Sequence, residues 1–190
     1  MKQILIGTFL SFLPAIAAAG PFGFSNESAP NSTHCSQMDD PMWYKCNSAP
    51  KAHSDFDYYI IQYHSDLGVC FLKAVGKDIK TNSFGSQLTA QTDKIKNQIS
   101  SKYGSPTNVV DQLMTGSIWN EPEDFMMSMV QKDRLFYIEW EVDTSKNVFE
   151  SIAITRTALG TDEGYVNVEY YYPVSKKCDA VVTESEASSF

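Results

Sequence analysis

The chain has 190 residues, with 15 lysines and arginines against 23 acids and a net charge of −8. That excess repels phosphate backbones and anionic lipid, and no basic stripe offsets it, so nucleic acid is excluded as a partner class. The length is enough for one domain with a proper core.

Met1 and Lys2 make a short positive start, and an apolar run follows from Ile4 to Ala18, ending in Ala17-Ala18-Ala19. This is the layout of a secretory signal peptide. The run falls short of the roughly 20 apolar residues that a membrane-spanning helix needs. A retained anchor is the weaker reading. Cleavage is expected after Ala19, so residues 1–19 are the leader and the mature chain starts at Gly20 with 14 basic and 23 acidic residues. No second stretch approaches spanning length. The expected destination is the periplasm or the medium.

Residues 20–56 show little periodicity and contain Pro21, Pro30, Pro41 and Pro50, so the segment reads as an irregular loop. Two sequons fall here, at Asn26 and Asn31. From 57 to 178 the pattern predicts a single α+β domain. Tyr59, Ile61 and Tyr63 alternate with Tyr58, Ile60 and Gln62. After a turn at 64–68, Val69, Phe71, Lys73 and Val75 alternate with Cys70, Leu72 and Ala74. The pair reads as a β-hairpin. The period then changes: Leu88, Thr92, Ile95, Ile99 and Tyr103 share one helical face, and Gly104 and Pro106 end the helix, predicted over 86–103. A shorter helix is expected after Trp119, with Asn120 and Glu123 as a capping box and Phe125, Met126 and Met129 as its apolar stripe. Three strands follow, through Phe136–Val142, Val148–Thr157 and Tyr165–Tyr172. Residues 179–190 read as a frayed polar tail. The order is ββααβββ, and the fold expected from it is a two-layer α+β sandwich: an antiparallel sheet of about five strands covered by one long and one short helix.

The four cysteines, Cys35, Cys46, Cys70 and Cys178, are even in number, which in an exported chain points to two disulfides. Three pairings are open. Cys35–Cys46 with Cys70–Cys178 is favoured, because the first two lie together in the irregular segment and the second pair would pin the late chain to the early sheet.

Several stretches carry a resemblance. They are Gly68-Val69-Cys70 with Lys73-Ala74-Val75-Gly76-Lys77-Asp78-Ile79, Lys102-Tyr103-Gly104-Ser105-Pro106-Thr107, and Gly116-Ser117-Ile118-Trp119-Asn120-Glu121-Pro122-Glu123-Asp124-Phe125-Met126-Met127. With the Gly20-Pro21-Phe22-Gly23 start, the chain resembles a group of small exported proteins of Gram-negative bacteria over roughly residues 54 to 178. That group has no assigned activity. The resemblance therefore implies a periplasmic or secreted home, makes the sequons irrelevant, and carries no catalytic residue across.

Candidate chemistry is thin. His34, Cys35, Cys46, His53, His64 and Cys70 are metal-ligand types, but their gaps do not match the tight pairs of zinc sites. Cys70 lies near His64 across the hairpin turn, yet sits in an apolar strand where a bridged cysteine is the better reading. Glu121, Glu123 and Asp124 suit a helix start, and Glu139 and Glu141 suit an outward strand face. No P-loop, dinucleotide fingerprint or nucleophile elbow occurs. The remaining feature is aromatic: Tyr165 and Tyr171 share a strand face with Asn167 and Glu169, and Tyr58 can join them as a partner surface. The function expected is therefore a non-enzymatic binding or accessory module with a protein or glycan partner and no cofactor or metal. An envelope-acting hydrolase of unrecognised type and a structural surface component are the alternatives.

Overall fold

Aromatic and β-branched residues dominate 56–64 and apolar ones 68–76, and both stretches are strands paired as a hairpin. In the computed structural model, which describes residues 20–187, the elements run β1 (Cys35–Gln37), β2 (Trp43–Cys46), β3 (Phe56–His64), β4 (Gly68–Gly76), β5 (Ile79–Lys80), α1 (Ser86–Tyr103), β6 (Asn108–Leu113), α2 (Phe125–Val130), β7 (Arg134–Glu141), β8 (Ser151–Ala158), β9 (Glu163–Tyr171) and α3 (Ser175–Ala187). The leader read over residues 1–19 and its cut after Ala19 lie outside the described residues.

The strands form one antiparallel sheet in the order β1-β2-β3-β4-β9-β8-β7-β6, with β5 pairing the start of β9. The expected fold class is corrected here. The sheet has nine strands, not about five, and three helices accompany it, so the protein is mostly β rather than a ββααβββ two-layer α+β sandwich. Four strands lack the expected periodicity for physical reasons. β1 and β2 are short and polar, and their pairing rests on the Cys35–Cys46 disulfide and on β3. Thus the irregular reading of 20–56 gives way to a strand pair there. β5 has two residues, and β6 is an edge strand with no residue fully buried. The tail also differs: the polar segment from 179 onward continues helix α3 as far as Ala187.

One face of the sheet carries the core. Tyr59, Ile61, Leu72, Ile138, Trp140, Ile152, Ile154, Val166 and Val168 are all buried there. Helix α1 packs on β8 and β9 through Leu88, Thr92, Ile95 and Ile99, and α2 packs on β7 and β8. Burying each aliphatic side chain contributes about 1.5–3 kcal/mol. Gly85 precedes α1 with φ of 68°, and a Cβ there would meet the Phe125 ring, so the turn into α1 lies against Phe125 of α2 only because residue 85 has no side chain. The capping box sits one residue later than expected, on the 3-10 turn Pro122–Asp124 that leads into α2, with the Glu121 N–H donating to Asp124 Oδ2 at 3.4 Å. Arg156 anchors α1 from the sheet: its guanidinium stacks 3.7 Å from the Phe136 ring centre, and Nε donates to Thr92 Oγ1 at 2.9 Å.

Candidate functional site

The opposite face of the sheet carries a polar row framed by aromatic rings. It follows from alternation along β9, the strand between β4 and β8. Tyr165, Asn167, Glu169 and Tyr171 all point away from the helix-covered core. Register brings partners to each. On the β4 side, Phe71 faces Tyr171, Lys73 faces Glu169 and Val75 faces Asn167. On the β8 side, Ser151, Ala153, Thr155 and Thr157 face Tyr171, Glu169, Asn167 and Tyr165 in turn. Tyr58 of β3 pairs with Val75, which sets it in the same cross-strand row as Asn167. The five residues singled out in the sequence thus share one patch. Lys73, Thr155 and Phe71 belong to it as well. Lys73 is a lone cation in an otherwise apolar stripe of β4, a signal that marks the site only once β4 is paired with β9.

The centre of the patch is a bonded network. Lys73 Nζ lies 3.0 Å from Glu169 Oε1, and Tyr171 OH donates to Glu169 Oε2 at 2.8 Å. Thr155 Oγ1 adds a donor to Oε1 at 3.3 Å. Asn167 Nδ2 donates to Thr155 Oγ1 and Thr157 Oγ1, both at 3.3 Å. Asn167 is 1% exposed, yet its Oδ1 has no partner. Whichever way the amide is turned, one end meets the threonines and the other is left over. A buried acceptor without a donor costs about 1–3 kcal/mol.

Two of the surrounding phenols are shifted upward. Burial first, and then the charge and hydrogen bond of Glu169 with more distant Glu139 and Asp179, push the Tyr171 phenol well above the usual tyrosine value. Burial and the neighbouring Tyr165 push Tyr58 up as well. Helix α3 reaches one end of the face, where Ser175, Lys176 and Asp179 join Tyr137, Glu139, Thr155, Glu169 and Tyr171 around a groove of about 530 Å³.

The other sequence candidates have structural uses. Cys35–Cys46 and Cys70–Cys178 are disulfides, so Cys70 is not a thiol for His64 to activate. His53 Nδ1 and His64 Nδ1 each accept a backbone N–H two residues on, at 3.2 Å. Glu121 and Asp124 are occupied with each other at the start of the short helix. Glu139 lies half-buried on the open face and Glu141 is exposed at the end of β7. Among the described residues, no group of three or more His, Cys, Asp or Glu side chains could hold a metal ion. No protein-family model matches the chain, and neither a curated protein nor a solved structure is significantly similar to it.

Proposed function

We propose that this chain is an exported, non-enzymatic binding module whose recognition surface is the open sheet face around Asn167 and Glu169, and that its partner is a glycan. Two disulfides, and the lack of any described helix long and apolar enough to cross a membrane, fit an extracellular or periplasmic protein. The observation that carries the reading is the set of half-buried tyrosines, Tyr58, Tyr165 and Tyr171, gathered with Lys73 on one sheet face that neither α1 nor α2 covers. A sugar offers apolar ring faces for Tyr58, Tyr165 and Tyr171 and hydroxyls for the polar groups beside them. Lys73, Thr155 and Glu169 supply donors and acceptors close by. Because the face is built on paired strands, its side chains are pre-ordered, which lowers the entropic cost of binding.

The test is a glycan and peptide array probed with the wild-type protein and with the double variant Tyr58→Ala/Tyr165→Ala. Saturable binding to a glycan that falls at least tenfold in the variant is the expected result. Binding only to peptides, or glycan binding that the variant leaves intact, overturns the reading.

A further inference from the structure

On the helix-covered side of the sheet, a second cleft has the opposite electrostatic character to the chain as a whole. It lies between the turn at Pro21–Gly23, the loop at 51–53, the end of α1 and the loop at 146–149, and encloses about 490 Å³. A smaller hollow of about 180 Å³ continues it along α1, sharing Phe22, His53, Lys102, Tyr103 and Tyr170. The floor is aromatic. Phe22 packs 5.9 Å from Tyr170, Tyr170 packs 5.0 Å from Phe149, and Phe149 packs 5.9 Å from Tyr103. The rim is cationic: Lys51, Lys102, Lys146 and His53 line it, and no aspartate or glutamate does. In a chain with 23 acids and 15 bases, that segregation is not what an even spread of charge produces.

The lysines are also unspent. Among the described residues, neither Lys51 nor Lys102 belongs to an ion pair, and Lys146 meets only exposed Asp143, at 3.4 Å. Lys102 stands over the Tyr103 ring at 4.9 Å, at the end of α1, where the helix dipole favours a cation but leaves it a hydrogen-bond donor. The cleft wall holds a strained residue as well. Phe22 adopts φ of 54°, rare for a side chain of its size, and its carbonyl accepts the Lys51 N–H at 2.8 Å. The ring is thereby set against Phe56, Tyr59 and Tyr170.

We propose that this cleft binds an amphipathic anion: an apolar body against Phe22, Tyr103, Phe149 and Tyr170, and one carboxylate or phosphate head held by Lys51, Lys102 and Lys146. Its volume falls in the usual range for small-molecule sites. Gly20 lines the cleft, so removing residues 1–19 sets a new α-ammonium at its mouth and adds to the same field. The site is separate from the open sheet face and stands or falls independently of it.

The test is calorimetric titration of the purified protein with decanoate and with decyl phosphate, using decanol and decyltrimethylammonium as neutral and cationic controls. Both are repeated on Lys51→Gln/Lys102→Gln, whose side chains are exposed and leave the core untouched. Saturable binding of at least one anion, at least tenfold tighter than decanol and weakened at least fivefold in the double variant, is expected. Preference between the two anions identifies the head group. Equal affinity for decanol, tighter binding of the cation, unchanged affinity in the variant, or no saturable heat from either anion overturns the proposal.

Discussion

Lys73 and Glu169 face one another across β4 and β9, with Nζ 3.0 Å from Oε1, on a sheet face that neither α1 nor α2 covers. The glutamate side chain is 11% exposed and the lysine 31%, so the pair is unequal. Removing the lysine leaves a nearly buried carboxylate held only by Tyr171 and Thr155, whereas removing the charge of the glutamate leaves an ammonium that water can reach. Lys73→Met is therefore expected to destabilise by about 1.5–3 kcal/mol, and Glu169→Gln by less. Urea unfolding of the two variants decides the order, and the reverse order contradicts this asymmetry.

The two disulfides close loops of very different size, with sequence separations of 11 and 108. In the chain-entropy model the short bridge contributes about 3 kcal/mol and the long one about 5 kcal/mol. Cys70→Ala/Cys178→Ala is expected to lower the denaturation midpoint more than Cys35→Ala/Cys46→Ala. It should also release α3, which hydrogen exchange reads directly. Apart from the disulfide, α3 is tied to the sheet at its first residue, where Ser175 bonds the Cys70 carbonyl, 2.6 Å away, and the Tyr172 backbone, so its later amides should lose protection in that variant alone.

Arg156 tests the helix side. Its Nε donates to Thr92 and its plane lies on Phe136, while burial lowers its pKa to about 10. A lysine cannot reproduce the flat stack and the side-on donor together. Arg156→Lys is expected to recover little of the stability lost in Arg156→Ala, as judged by thermal midpoints. Full rescue by lysine would show that charge alone matters there.

How much of this was legible in the sequence varies with the physics of each element. Helix α1 was readable to its ends because Leu88, Thr92, Ile95 and Ile99 all face the sheet and Gly104 terminates the run. The hairpin β3–β4 and the strands β7, β8 and β9 were readable because their alternation reflects a core on one side. The edge strands were not. β6 is Asn108–Leu113, with residues such as Asn108, Asp111 and Gln112 exposed, and it is a strand because β7 offers it a ladder. β1 and β2 are strands because a disulfide holds them in register, which no local pattern encodes. At the site, alternation alone grouped Tyr165, Asn167, Glu169 and Tyr171. Lys73 joined them only through the β4–β9 pairing, between segments some ninety residues apart in sequence, and the second cleft gathers residues from five separate segments.

Acid stability has a specific expected source. Burial raises the Asp55 carboxyl, but hydrogen bonds from Lys94 and Gln91 and the charges of Lys94 and His53 outweigh it and hold the pKa below its ordinary 3.8. A carboxyl whose folded pKa is depressed adds stability that is fully present above the unfolded value and is lost as pH falls through the folded one. The contribution of the Asp55–Lys94 contact, 2.7 Å between Nζ and Oδ2, should thus be present at pH 5 and fade below pH 3.8. Asp55→Asn should lower stability at pH 7 and flatten that acid limb. Parallel stability curves for the two proteins between pH 2 and 6 would remove Asp55 as the cause.

The recognition role of the sheet is tested most directly by nuclear magnetic resonance. Backbone amide shifts are followed while the glycan selected on the array is titrated into the isotope-labelled protein. Perturbations concentrated at Tyr58, Lys73, Tyr165, Asn167, Glu169 and Tyr171 are the expected result. Saturating shifts confined to the helix-covered side, with those six residues unmoved, would contradict it.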